Sequence, residues 1–133
     1  MIDAGIQTLL DNYFELMHTQ DMSLFDKVFH KDSNLYSSEN DEIVIRPRDF
    51  YREQMEARTS PQDSGNARRD EVLLVDQISP EVALVKVQLE MFGGVMQDYL
   101  SLLLRGRILV CDFQVVQAGR KVRIVSRGEH FPI

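Results

Sequence analysis

The chain has 133 residues, 44% of them hydrophobic and 27% charged, with a formal net charge of −6. This balance describes one soluble globular domain, residues 1–133, large enough for a core without disulfide staples. The acidic balance and the lack of a long basic stretch disfavour nucleic acid as a partner, and a lone cysteine, Cys111, excludes an internal disulfide and a cysteine-based metal cluster.

Ile2, Ile6, Leu9, Leu10, Tyr13, Phe14 and Met17 recur at helical spacing, with Asp3, Gln7, Asp11, Glu15 and His18 mostly opposite. The pattern predicts a first helix of about four turns. Its polar start is unlike a signal peptide, so a cytoplasmic protein is expected. Asp21 can cap a short second helix with Leu24, Phe25, Val28 and Phe29 facing inward. His30-Lys31-Asp32 ends it, since basic side chains suit a helix C-terminus.

Asn34–Ser38 and Glu42–Arg46 read as two strands joined by the turn residues Glu39-Asn40-Asp41. Pro47 suits the first turn of a third helix that buries Phe50, Tyr51 and Met55. Residues 59–67, TSPQDSGNA, have the composition of a mobile surface loop. From Asp70 onward the chain reads as sheet. Val72–Ile78 is a strand, and Ser79-Pro80-Glu81 a turn. Val82–Phe92 is a long strand whose inward set is Ala83, Val85, Val87, Leu89 and Met91, and Gly93-Gly94 is a hairpin signal.

The stretch from Met96 to Val116 anchors the reading. On a strand, Met96, Asp98, Leu100, Leu102 and Leu104 share one face, which is apolar save for one carboxylate. Gln97, Tyr99, Ser101, Leu103 and Arg105 form a mixed second face, as expected where a sheet meets water or a partner. Arg105-Gly106 interrupts the run as a turn or bulge. Ile108–Val116 then resumes with Ile108, Val110, Asp112 and Gln114 on one side. Asp98, Arg105, Arg107 and Asp112 leave the run too short and too charged to cross a membrane. Gln117-Ala118-Gly119 turns the chain into a last strand, Lys121–Arg127. Helices, a hairpin, a further helix and a strand meander define an α+β fold, with three helices in the N-terminal half packed on a strongly curved antiparallel sheet. Three helices cannot fill such a sheet everywhere, so a cavity between the layers is expected.

Several strings then resemble a known group. They are Tyr13-Phe14, Phe29-His30-Lys31-Asp32, and Asp98-Tyr99-Leu100-Ser101-Leu102-Leu103. Both Arg107-Ile108-Leu109-Val110 and Lys121–Arg127 resemble that group's final strand, where Trp commonly stands at the place of Ile108; only one of the two can be it. The chain resembles the nuclear-transport-factor-2-like superfamily, and within it the putative lumazine-binding, polyketide-cyclase-like group. The resemblance implies a cystatin-like cone, an open hydrophobic pocket between helices and sheet, and homodimers through the sheet's outer face. It implies no particular activity, because the superfamily holds isomerases, dehydratases, cyclases and non-catalytic binding domains.

The expected pocket takes Tyr13, Phe14 and Met17 from the first helix, Phe29 from the second, and Tyr36 from the first strand. Phe50 and Met55 come from the third helix, and Val87, Leu89, Met96, Asp98, Leu100 and Asp112 from the sheet. A carboxylate facing an apolar cavity can act as a general base or acid, so Asp98 and Asp112 are candidates. The plainer reading puts each at a strand end or in an ion pair with Arg105, Arg107 or Arg123. Tyr13 and Tyr36 can present hydroxyls as oxyanion donors, or sit as core tyrosines with the hydroxyl at the rim. His30 is a candidate pocket base, but a histidine closing the second helix through a terminal carbonyl is the simpler reading. His18 reads the same way at the first helix's end, and His130 lies in the tail. Met17, Met55, Met91 and Met96 read as core filler before an adaptable lining.

No histidine spacing suits a metal, no glycine-rich loop suits a phosphate, and no Gly-x-Ser-x-Gly elbow is present, so neither metal nor cofactor is expected. Three readings follow. The chain is a pocket domain for a small hydrophobic or aromatic molecule, an isomerase- or dehydratase-type enzyme using Asp98 with Tyr13, or a dimerisation module built on Tyr99, Ser101, Leu103, Leu84 and Lys86.

Overall fold

A computed structural model of the chain describes residues 3–103 and, by backbone alone, 108–117. The helix α1, Ala4–Thr19, starts where the Asp3 carboxylate accepts from the amides of Gly5 at 2.8 Å and Ile6 at 3.3 Å. It ends at Gln20, which takes a left-handed conformation and donates its amide to Leu16 O. Ile6, Leu9, Leu10, Tyr13, Phe14 and Met17 are buried together as the spacing predicts, and Leu16 joins them. Asp21 caps the 3₁₀ turn Met22–Leu24, which continues as α2, Phe25–Val28.

The hairpin β1, Asn34–Glu39, and β2, Glu42–Pro47, closes on Asn40 and Asp41, both at positive φ. Pro47 then stands at the N-cap of α3, Arg48–Ala57. Tyr51 and Met55 are buried four residues apart on one face, whereas Phe50 is 49% exposed, which corrects its expected inward position. Successive helical residues are about 100° apart, and the Tyr51–Met55 stripe fixes which of the two rings faces in. The Arg48 and Arg52 guanidinium carbons each lie 5.3 Å from the Phe25 ring centroid, and both side chains pair with Asp26.

Four strands, β3 (Arg69–Ser79), β4 (Val82–Met91), β5 (Gly94–Leu103) and β6 (Ile108–Gln117), form an antiparallel sheet in that order. β1 runs beside β6. Register shifts between Val72 and Leu74, Gln77 and Ser79, and Tyr99 and Ser101 add local twist and bend the sheet. The inward set of β4 is buried as predicted. With Asp98, Leu100 and Leu102 of β5 it faces the helices, and the apolar side chains of both layers make one cluster. Each such side chain removed from water contributes about 1.5–3 kcal/mol.

The β4–β5 turn falls one residue earlier than the Gly93-Gly94 signal. Phe92 and Gly93 both have positive φ, and Gly94 already pairs with Met91. Tertiary contacts hold the unusual Phe92 backbone. Its amide donates to Asn66 Oδ1 at 2.6 Å, and the Arg58 guanidinium lies 5.3 Å from its ring centroid. The 59–67 segment, expected to be mobile, is therefore anchored at both ends. Ser60 and Pro61 are buried, and Gln62 donates its amide to His18 O at 3.0 Å.

Among the described residues no helix is long and apolar enough to cross a membrane. The expected Arg105-Gly106 interruption and the Lys121–Arg127 strand lie outside the described residues.

Candidate functional site

The polar centre of the interior is made by two elements. α1 places Tyr13 on its buried face, and β5 places Asp98 on the inner face of the sheet, opposite Val87. The Tyr13 hydroxyl donates to Asp98 Oδ2. Exposure is 1% for Tyr13 and 0% for Asp98, so the carboxyl lies inside an aliphatic surface of Val85, Val87, Leu100 and Leu102.

Aromatic rings extend the site toward α2 and α3. Tyr13 meets Phe14 edge-on at 5.7 Å and Phe29 at 6.4 Å, and Phe29 meets Tyr51 at 5.7 Å. The Tyr51 hydroxyl reaches Met17 Sδ at 3.7 Å. Such edge-to-face packing fixes ring orientation and with it the direction of the two hydroxyls.

Leu89 follows Val87 as the next inward residue of β4 and pairs with Met96. There a narrow cleft of about 10 Å³ lies between α1 and the sheet, lined by Phe14, Met17, Leu89 and Met91; at this place the expected cavity between the layers is closed down to roughly the space of one water. Pro61 and His18 close one side, and Arg68, Arg69, Asp70 and Glu90 form a charged rim. Arg68 donates to Asp70 at 2.9 Å and to Glu15 at 2.7 Å, which holds its guanidinium above the usual arginine pKa, chiefly through Asp70.

The structure thus brings together Tyr13, Phe14, Met17, Phe29, Met55, Val87, Leu89 and Leu100 in one buried cluster, with Asp98 bonded to its Tyr13 and Met96 packed against it. Two expected lining residues lie elsewhere. Phe50 is on the outer side of α3. Tyr36 pairs with Ile45 on the face of the hairpin opposite Leu35 and Ser37, and its hydroxyl accepts from Asn34 at 3.4 Å. Asp112 falls at the β5–β6 register shift, and its side chain lies outside the described residues.

His30 does not bond a terminal helix carbonyl. Its Nδ1 accepts from the Asp32 amide at 3.1 Å, inside the turn that leads to β1. Tyr51, expected and found on the buried side of α3, is absent from the expected pocket lining. Its place four residues before Met55 marks it as inward, yet only the fold shows its hydroxyl entering the same aromatic group as Tyr13. Among the described residues no group of three or more metal-ligating side chains is present.

The family whose description reads "Putative lumazine-binding" matches residues 2–107. No curated protein matches the chain in sequence. Solved structures do match in shape. An NTF2-like protein of unknown function from Methylobacillus flagellatus KT superposes with a TM-score of 0.72 at 18% identity, covering 88% of this chain and 96% of its own. One from Shewanella baltica OS155 gives 0.70 at 13% identity over 85% and 90%, and one from Silicibacter pomeroyi DSS-3 gives 0.68 at 17% over 86% and 94%. At these identities the likeness shows the fold, an NTF2-like α+β architecture.

Proposed function

This chain belongs to the "Putative lumazine-binding" family, and from that premise we propose that it binds a small apolar or aromatic molecule between its helices and its sheet. The ligand lies on the inner sheet face, entering from the cleft over Leu89 and Met91, with Tyr13 and Asp98 as its polar anchor. The observation that carries this reading is a hydroxyl–carboxyl pair buried among aliphatic side chains on the inner sheet face; the narrow cleft over Leu89 and Met91, apolar within and charged at its rim, must widen to admit a ligand. Binding sites of this kind combine a mostly apolar lining with a few placed polar groups. A bicyclic heteroaromatic such as a lumazine matches that chemistry, since its rings pack against Phe14 and Leu89 while an edge group meets the pair.

The test is titration of the purified chain with a lumazine, followed by the ligand's own fluorescence. Saturable binding, weakened about tenfold by Asp98→Asn through loss of one hydrogen-bonded contact, supports the reading. No binding at millimolar ligand overturns it for this ligand class.

The same proposal pairs two copies through the outer sheet face, where Leu74, Val82, Leu84 and Leu103 are exposed and Lys86 lies 5.4 Å from the Tyr99 ring centroid. It keeps one domain over residues 1–133 and a cytoplasmic location.

A second reading is favoured by the convergence of two titratable groups in one buried place. In it the chain is an isomerase- or dehydratase-type enzyme. Asp98 removes a proton from carbon beside a carbonyl, the C–H pair becomes a C=C bond as the carbonyl π pair moves onto oxygen, the Tyr13 hydroxyl turns to that oxygen, and Asp98 then returns a proton to carbon. Incubating a bound carbonyl ligand in heavy water separates the readings. Deuterium entering the ligand, and lost in Asp98→Asn, supports catalysis; an unlabelled ligand leaves binding alone.

A further inference from the structure

We propose that β2 is a docking edge for a second copy of this chain, the two β2 strands pairing antiparallel about a two-fold axis at Val44. This contact is separate from the outer sheet face and from the ligand site.

The hairpin geometry decides which backbone groups are available. Asn40 and Asp41 form a two-residue turn with both φ values positive, so Glu39 and Glu42 are its hydrogen-bonded closing pair. Counting along the ladder, Val44 and Arg46 also direct their amides and carbonyls to β1, opposite Ser37 and Leu35. Ile43 and Ile45 direct theirs the other way. Among the described residues no strand pairs with that edge. Ile43 is 80% exposed and Ile45 55%. Bare β-branched side chains beside unpaired backbone groups make a pairing template rather than a guarded edge.

The order of residues selects the occupant. β2 reads Glu42-Ile43-Val44-Ile45-Arg46, which is complementary to its own reverse. About Val44, Ile43 faces the second copy's Ile45 in a reciprocal hydrogen-bonded pair, and the symmetry repeats it. Glu42 then faces the second copy's Arg46. Centring on Ile45 would set Ile43 against Pro47, which has no amide to give. Centring on Ile43 would set Asp41 against Ile45 and leave Glu42 opposite Val44. Only the Val44 register pairs both the amides and the carbonyls of Ile43 and Ile45, stacks isoleucine on isoleucine and opposes unlike charges. Arg46 already holds Glu39 at 2.8 Å, and a guanidinium has donors left for a second carboxylate. The contact is isologous, so each β2 edge is filled by one second copy. Its short strand buries less than a standard interface, so the dimer is weak.

Single cysteines test the register. Val44 meets Val44 across the axis at a non-hydrogen-bonded position, where α-carbons come close enough for a disulfide, whereas Ile43 and Ile45 do not meet themselves. Under mild oxidation Val44→Cys should give roughly tenfold more covalent dimer than Ile43→Cys, Ile45→Cys or the unsubstituted chain with its native Cys111. Mixing the Ile43→Cys and Ile45→Cys chains should restore the cross-link. Adding Glu42→Arg to Val44→Cys should cut the yield several-fold by opposing like charges, and adding Leu84→Glu on the outer sheet face should leave it unchanged. Equal yields at positions 43, 44 and 45, or a Val44→Cys yield that ignores Glu42→Arg, would overturn the proposal.

Discussion

Tyr13 and Asp98, 85 residues apart in the chain, share a hydrogen bond that joins the first helix to the middle of the sheet. Among the described residues the bond lies between buried aliphatic and aromatic side chains, where water does not readily replace a lost partner. Tyr13→Phe removes one hydrogen bond to a buried carboxyl and should destabilise the fold by about 1–3 kcal/mol. Tyr13→Phe combined with Asp98→Leu removes both partners and should cost less than the sum of the single changes. Urea denaturation of the double-mutant cycle measures this, and strict additivity would mean that the bond couples nothing.

Leu100 is fully buried next to Asp98 on the same face of β5. Leu100→Ala should cost about 2–5 kcal/mol, with the spread set by how far the site collapses. Calorimetry or denaturant melts give the value. A loss below about 1 kcal/mol would show that the helices settle onto the sheet and leave no cavity at position 100.

The exposed Asp41 sits at φ +66° in the β1–β2 turn. Glycine takes this conformation without strain, so Asp41→Gly should stabilise the protein by about 0.5–1 kcal/mol. A thermal shift upward by a few degrees is the expected readout.

Glu39 accepts from Arg46 and Ser37, and chiefly the Arg46 bond holds its carboxyl below its ordinary value of 4.5. A depressed folded pKa contributes stability above the unfolded pKa and loses it as pH falls through the folded one. Stability should therefore drop on acidification below about pH 4.5. Arg46→Gln should flatten that slope by a few tenths of a kcal/mol, since the carboxylate is partly solvated. Unfolding free energies between pH 3 and 7 measure it, and parallel curves for the two proteins would remove Glu39 as a cause.

The elements that bury one regular stripe were legible in the sequence. α1 and β4 show it best, because period and burial coincide residue by residue. The hairpin was less so. β1 and β2 place Tyr36, Ile43 and Ile45 on the outer face and Leu35 on the inner one, so apolar identity alone points the wrong way. Phe50 and Tyr51 are adjacent, and a helix admits only one of them to the core. The Phe92-Gly93 turn escaped detection because a phenylalanine at positive φ is sustained by Asn66 and Arg58, contacts that no local pattern contains. For the site, the alternation of β5 found Asp98, and helical spacing found Tyr13. Their hydrogen bond depends on how the two layers dock, which neither pattern encodes.

Gln20 ends α1 in a left-handed conformation, and its side-chain amide donates to the carbonyls of Met55 and Arg58, both at 2.9 Å. Its side-chain oxygen accepts from Arg58 Nε at 2.6 Å. One residue therefore terminates two helices at once, so loosening at position 20 would propagate along α1 toward the ring of Tyr13 and along α3 toward Tyr51. The aromatic group under the sheet is governed from a point at the surface, where a single glutamine sets how far the two helices can part.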